Sequence, residues 1–157
     1  MFDQINGLPV HALVLHAAVI FVPLLAAGAI AYAIIPRFRP RLGWAVALLG
    51  IAAPASTFVA MESGERLYDR LLDQGLKGRG AEILSDHMGY GEVTFWLSVA
   101  LGAVSLIAVF ATGRRNASLP KAADIGLAVV MIGLAAVSGY YVFKTGDSGA
   151  TAVWGQY

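Results

Sequence analysis

The sequence predicts an all-α protein, a four-helix transmembrane bundle with a short amphipathic helical loop between helices 2 and 3 on the outer side. Three observations predict this class. Of the 157 residues, 58% are hydrophobic and only 13% are charged, whereas ordinary soluble domains carry about 25% charged residues. Four apolar runs are each long enough to cross a bilayer, which takes about 20 helical residues. The long segment between the second and third runs is polar, with leucines at helical spacing.

The four predicted spans cover residues 8–35, 42–61, 93–112 and 122–143 of a single integral membrane domain, 1–157. Pro9 suits the first turn of the first helix. Pro36 and Pro40 bracket a link so short that the first two helices must form an antiparallel hairpin. The last span carries one acid, Asp124, near its start.

Basic residues in the two short links predict the orientation in the membrane. The links contain no acid, and their basic residues are Arg37, Arg39 and Arg41 in the first and Arg114, Arg115 and Lys121 in the other. By the positive-inside rule, both links are cytoplasmic. We therefore expect a multi-pass protein of the cell membrane with both termini and the outer loop, residues 62–92, on the extracytoplasmic side.

The outer loop has a helical pattern of its own. Apolar residues recur at helical spacing from Leu67 to Leu72, and glycines interrupt the pattern from Gly75 to Gly80. We expect one or two amphipathic helices that lie on the outer surface.

Composition also excludes several classes of function. The net charge of +1 gives no reason to expect nucleic acid as a partner. The chain has no cysteine, so it cannot by itself form disulfides, thiolate metal sites or iron–sulfur clusters, and it has no cysteine nucleophile. The partner that the composition requires is the lipid bilayer.

The predicted topology places all three histidines at the outer end. His11 and His16 lie in the outer half of the first span, and His87 lies just before the third span. A separation of five residues turns a helix by about 140°, so His11 and His16 point in different directions and are poor joint ligands for one small ion. A histidine of the first helix and His87 of the third can instead face each other across the bundle.

Two facing imidazoles indicate b-type haem, with His87 and either His16 or His11 as axial ligands among apolar walls. The candidate cofactor-binding residues are therefore His11, His16 and His87. A second reading is a small ion of zinc, copper or iron with nitrogen and oxygen ligands, for which the candidates are His16, His87, Glu62 and Glu92. A third reading leaves the histidines as polar residues of the membrane interface with no cofactor.

The leading functional hypothesis is a haem b or metal-binding protein that transfers electrons on the extracytoplasmic side, to or from a redox protein. The competing class is a non-catalytic structural or assembly subunit, which binds other membrane subunits or forms a homo-oligomer. Transport of a zinc or copper ion is a third reading, but we find no internal repeat or interrupted helix to support a transporter. The sequence identifies no catalytic residue and leaves enzyme activity open.

One stretch near the carboxyl end resembles a catalytic motif. Gly146-Asp147-Ser148-Gly149 is similar to the nucleophile segments of serine proteases. Neither the β-barrel chain nor the following membrane helix that those enzymes need is present, so we interpret the stretch as a polar turn that ends the fourth helix.

The opening of the chain also resembles a known family. Gly7-Leu8-Pro9, then His11 and His16, then four spans is similar to the bacterial membrane family known as domain of unknown function 2231, over nearly the full length. The resemblance implies a four-helix membrane domain that is sometimes joined to redox modules such as Rieske proteins, hence a respiratory or electron-transfer setting. Many relatives have Phe-Pro after the second histidine, where this chain has Ala17-Ala18. The resemblance draws attention to His11 and His16 and assigns no ligand.

Overall fold

The computed structural model describes residues 4–5, 8–113 and 120–155. Four long helices form a bundle: α1 (Val10–Ile34), α2 (Arg39–Asp73), α3 (Arg79–Gly113) and α4 (Lys121–Trp154). A 3-10 turn, Pro36–Phe38, joins α1 to α2. Before α1, the two-residue strands β1 (Gln4–Ile5) and β2 (Leu8–Pro9) pair antiparallel. The predicted four-helix bundle is confirmed.

Each of the four helices is long and apolar enough to cross a membrane. With 35, 35 and 34 residues, α2, α3 and α4 are each longer than the roughly 20 residues that the hydrocarbon layer requires. The chain is therefore a multi-pass membrane protein whose helices continue past the lipid. Arg114 and Arg115, on which the predicted orientation partly depends, lie outside the described residues, and that orientation stays a prediction.

The outer loop differs from the expectation of separate surface helices. Residues 62–73 continue α2 without a break, and α3 begins at Arg79, so the two helices extend beyond the spans as one hairpin. The amphipathic pattern continues α2 because nothing stops the helix before Gly75. There the amide of Gly75 donates to the Leu72 carbonyl and the amide of Leu76 to the Leu71 carbonyl, and Gly75 adopts a φ of 97°. This arrangement is a Schellman cap, which favours glycine.

The helices form a square in which α1 and α3 occupy opposite corners. Each of them packs against both α2 and α4. At one end of the bundle the rings of His11 and His87 meet, and at the other the Tyr32 hydroxyl bonds to Thr112, so α1 and α3 run in the same direction. We call the first end the histidine end. The second, which carries Arg37, Arg39 and Arg41, is the arginine end.

The structure contains an internal repeat, contrary to our expectation from the sequence. Buried positions in α1 and α3 lie equal numbers of residues after His11 and His87. These matched pairs are Val22 with Ser98, Leu25 with Leu101, Ala26 with Gly102, Ala29 with Ser105, and Tyr32 with Ala108. The same holds for the other two helices. Each buried residue of α4 lies as many residues before Gly149 as a buried residue of α2 lies before Gly64. These pairs are Met131 with Val46, Ala135 with Gly50, and Ser138 with Ala53. The α1–α2 and α3–α4 hairpins are therefore equivalent units around the bundle axis.

Small residues allow the helices to approach closely at the centre. A Cβ on Gly102 of α3 would collide with the carbonyl oxygen of Gly50 in α2 and would lie 3.2 Å from Cγ of Pro54. Such contacts drive helix association in lipid, where hydrophobic burial gives little gain. At the arginine end, Arg39 of α2 pairs with Asp124 of α4 at 2.8 Å.

Candidate functional site

The first half of the candidate site is His11, in the first turn of α1. Its Nδ1 lies 2.8 Å from the carbonyl oxygen of Ala60 in α2. Since a carbonyl oxygen only accepts, Nδ1 carries the proton and donates it. The ring rests on Gly64, where a Cβ would lie 3.1 Å from both Cε1 and Nδ1. The neighbouring helix thus fixes both the tautomer and the position of this imidazole.

The second half is His87, in α3. Its Nδ1 lies 2.9 Å from the carbonyl oxygen of Thr145 and 3.1 Å from Oγ of Ser148, both in α4. The ring rests on Gly149, where a Cβ would lie 2.9 Å from Cε1. His87 therefore contacts α4 as His11 contacts α2. In each case a ring on one helix of a hairpin donates to a carbonyl of the other helix, next to a glycine.

The two imidazoles meet at the bundle axis. Their ring centres are 6.1 Å apart and their planes are perpendicular, at 89°. Because both Nδ1 atoms donate to carbonyls, each Nε2 carries a lone pair, and neither Nε2 has a hydrogen-bond partner among the residues that the structure describes. Both side chains are half-buried. Each ring therefore keeps one nitrogen that no described residue uses.

Hydroxyl groups of α3 and α4 lie on the His87 side of the site. Oγ1 of Thr145 lies 3.0 Å from Oγ1 of Thr94 in α3, and Ser148 donates to the Thr145 carbonyl. At the same end, the Lys144 ammonium lies over the Tyr90 ring at 5.3 Å. The His11 side has fewer polar groups, since Ala60 occupies the position that Thr145 occupies in α4.

The other candidate residues lie apart from this pair. His16 is exposed, and its Nδ1 bonds to the Ala12 carbonyl of its own helix at 2.9 Å. Glu62 lies 3.8 Å from Arg66, and Glu92 is exposed on α3. The described residues contain no group of three or more His, Cys, Asp or Glu side chains that is placed to hold a metal ion.

Four residues that support the rings were not recognised from the sequence: Gly64, Thr145, Ser148 and Gly149. The stretch that we interpreted as a terminal turn, 146–149, is continuous helix, because α4 extends to Trp154. A signal was present in the two triplets Glu62-Ser63-Gly64 and Asp147-Ser148-Gly149. Each triplet ends on the glycine that holds a histidine ring.

Comparison with known proteins identifies a family for the chain but no individual protein that resembles it. The model of the family DUF2231, described as predicted membrane protein, matches residues 7–156. No curated protein and no solved structure matches the chain.

Proposed function

Because the chain belongs to the DUF2231 family of predicted membrane proteins, whose description names no chemistry, we propose a function from the site itself. We propose that the protein binds one metal centre between His11 and His87, that this centre is haem b, and that it transfers electrons. The observation that carries this proposal is the pair of rings 6.1 Å apart on the bundle axis. The two rings come from equivalent positions of the two hairpins, so a ligand on the axis would meet one imidazole from each hairpin.

The state of the imidazoles supports metal ligation. Metal-binding histidines usually donate their second ring N–H to a carbonyl or carboxylate, which fixes the tautomer and makes the free nitrogen more basic. Both rings meet this condition, through Ala60 and Thr145. Two imidazoles that bind one ion through Nε2 at about 2.0 Å from opposite sides have ring centres about 6 Å apart. The observed distance between the ring centres, 6.1 Å, is close to that value.

The number of ligands favours haem over a small ion. A structural zinc site takes four ligands and a catalytic one takes three from the protein, whereas the iron of a haem needs only two axial ligands beyond the porphyrin. The described residues supply a pair of histidines and no larger ligand group. His16, Glu62 and Glu92 remain candidates only for the zinc or copper alternative, which would need them to move toward His87.

The site lies at an end of the bundle that a partner protein can reach, and this position favours electron transfer over a purely structural role. The pair lies at the histidine end, where α2 and α3 extend past the spans and a redox protein can approach. When bound, a haem accepts and releases one electron. The residues of the chain hold the imidazoles in a fixed tautomer and reduce solvent access, and both effects tune the potential of such a centre.

Absorption spectroscopy of the purified protein tests the proposal. We expect a Soret band, a shift on reduction, and stoichiometric iron. His11→Ala and His87→Ala should each abolish the band, while His16→Ala, the matched control on the exposed face of α1, should retain it. Stoichiometric zinc or copper without a Soret band would favour the small-ion alternative. Absence of both would refute the metal centre and leave the structural or assembly subunit as the better account.

A further inference from the structure

We propose that the arginine end binds an anionic phospholipid of the bilayer, with the phosphate on Arg37 and Arg41 and an acyl chain along the lipid-facing side of α2. These residues lie at the opposite end of the bundle from the proposed metal centre and take no part in it. The function that they add is selective binding of one class of lipid in one leaflet.

Positive charge accumulates at the arginine end of the chain. The stretches 36–41 and 114–124, which join α1 to α2 and α3 to α4, contain six basic residues and one acid, Asp124. The other end has the opposite balance, because residues 62–92 contain seven acids and four basic residues. A negatively charged headgroup is therefore attracted to one end of the bundle and repelled from the other.

The one acid of these stretches is already neutralised within the bundle. Asp124 pairs with Arg39 at 2.8 Å. Arg39 also donates to the carbonyl oxygens of Tyr32 and Ala33 at the end of α1, at 3.0 and 3.1 Å. This arginine therefore holds α1, α2 and α4 together, and Asp124 leaves no free carboxylate for the other cations.

Arg37 and Arg41 keep their charge available. Both side chains are exposed, and neither forms an ion pair with any residue that the structure describes. The Arg37 guanidinium lies over the Phe38 ring, 5.0 Å from its centre, and this contact limits its movement. An arginine can donate two parallel N–H bonds to one phosphate. The start of α2 therefore presents two unpaired guanidinium groups that suit a phosphate.

An apolar face of α2 continues from Arg41 into the bilayer. Trp44, Leu48 and Ile51 follow Arg41 at the spacing of one helix face. They are 71%, 59% and 62% exposed, so they face lipid rather than the other helices. Trp44 lies about 4.5 Å further along the helix than Arg41, at a depth that suits a tryptophan of the membrane interface. An acyl chain can therefore lie on this face while its phosphate contacts Arg41.

The charge balance favours an anionic headgroup over a zwitterionic one. The ammonium of a zwitterionic lipid would bring a further cation next to Arg37 and Arg41. Phosphatidylglycerol brings the same phosphate with an uncharged alcohol in place of that ammonium. Near a membrane surface, each arginine strengthens the binding of anionic lipid about fivefold.

Native mass spectrometry of the protein in detergent, titrated with phosphatidylglycerol or phosphatidylcholine, tests this preference. We expect the natural chain to bind phosphatidylglycerol at least about tenfold more tightly. Arg37→Gln and Arg41→Gln should each weaken that binding about fivefold, and the double variant about 30-fold. Arg79→Gln is the matched control, because it removes an exposed arginine at the histidine end. Equal affinity for both lipids, a preference that survives in the folded double variant, or an equal loss in Arg79→Gln would overturn the lipid site.

A second measurement keeps both arginines and so does not depend on the fold of those variants. With Trp96→Phe and Trp154→Phe, two exposed positions, Trp44 is the one tryptophan left in the chain. In liposomes of equal parts phosphatidylglycerol and phosphatidylcholine, brominated acyl chains on the former should quench Trp44 more strongly than brominated chains on the latter. Equal quenching would overturn the preference. Absence of a Soret band would refute the haem and leave both lipid measurements unchanged.

Discussion

Gly149 gives the sharpest test of how the fold holds His87. In Gly149→Ala, the new Cβ would lie 2.9 Å from Cε1 and 3.2 Å from Nδ1 of the ring. The imidazole is the end of a flexible side chain, so the ring should move while α3 and α4 stay in place. A carbon contact of about 3.5 Å requires a retreat of roughly 0.5 Å. The bond from Nδ1 to the Thr145 carbonyl, now 2.9 Å, would then reach the limit for a hydrogen bond.

The size of the effect follows from that lost bond. A hydrogen bond between neutral groups contributes about 1 kcal/mol, and loss of an outer partner of a ligating histidine typically weakens metal binding about 10- to 100-fold. We expect haem affinity to fall about tenfold at the lower end of that range. Gly64→Ala should have a smaller effect, since its Cβ would lie 3.1 Å from the His11 ring.

Titration of the haem-free protein, followed at the Soret band, measures this affinity. Gly146→Ala is the matched control, because it lies one turn earlier in α4 and a Cβ there meets nothing within 4 Å in the described chain. Equal affinities for the Gly149→Ala and Gly146→Ala proteins, with both folded, would refute the conclusion that contact with α4 positions His87.

Three further predictions concern the bundle. Gly102→Ala should force α2 and α3 apart and cost about 1–3 kcal/mol, seen as a lower Tm, whereas Gly139→Ala, which meets nothing within 4 Å in the described residues, should not; equal Tm values would contradict the close approach. Asp124→Ala should cost about 2 kcal/mol by leaving Arg39 without its charged partner, and unchanged stability in denaturant would show that the 2.8 Å ion pair contributes nothing. In Asp86→Cys, the new thiol should react with an impermeant maleimide on intact cells, because residues 62–92 are predicted to be extracytoplasmic. Labelling only after permeabilisation would contradict that orientation.

Patterns of length and hydropathy were enough to predict four helices and the histidines at one end. The same patterns could not show where α2 ends, because the amphipathic residues after Met61 fit both a surface helix and a continued one. The helix continues until Gly75 supplies the positive φ of the cap. The local pattern shows that such a segment is helical. Tertiary packing decides whether it lies on the membrane surface or continues the preceding helix.

The choice between His11 and His16 also lay beyond the sequence. Their five-residue spacing shows only that they face different ways. The carbonyl of Ala60 and the space above Gly64 distinguish them, and both belong to a helix distant in sequence. The internal repeat could not be recognised from the sequence for a related reason. Matched positions such as Ala29 and Ser105 share burial and differ in chemistry, so equivalence becomes visible only when the helices are packed.

Density on the bundle axis, in a structure of the protein isolated from its own membrane, tests the central claim most directly. The account predicts a metal within about 2.0 Å of Nε2 in both His11 and His87, at the centre of a flat macrocycle. Imidazoles in direct contact, or separated only by packed side chains in fully loaded native protein, would contradict it.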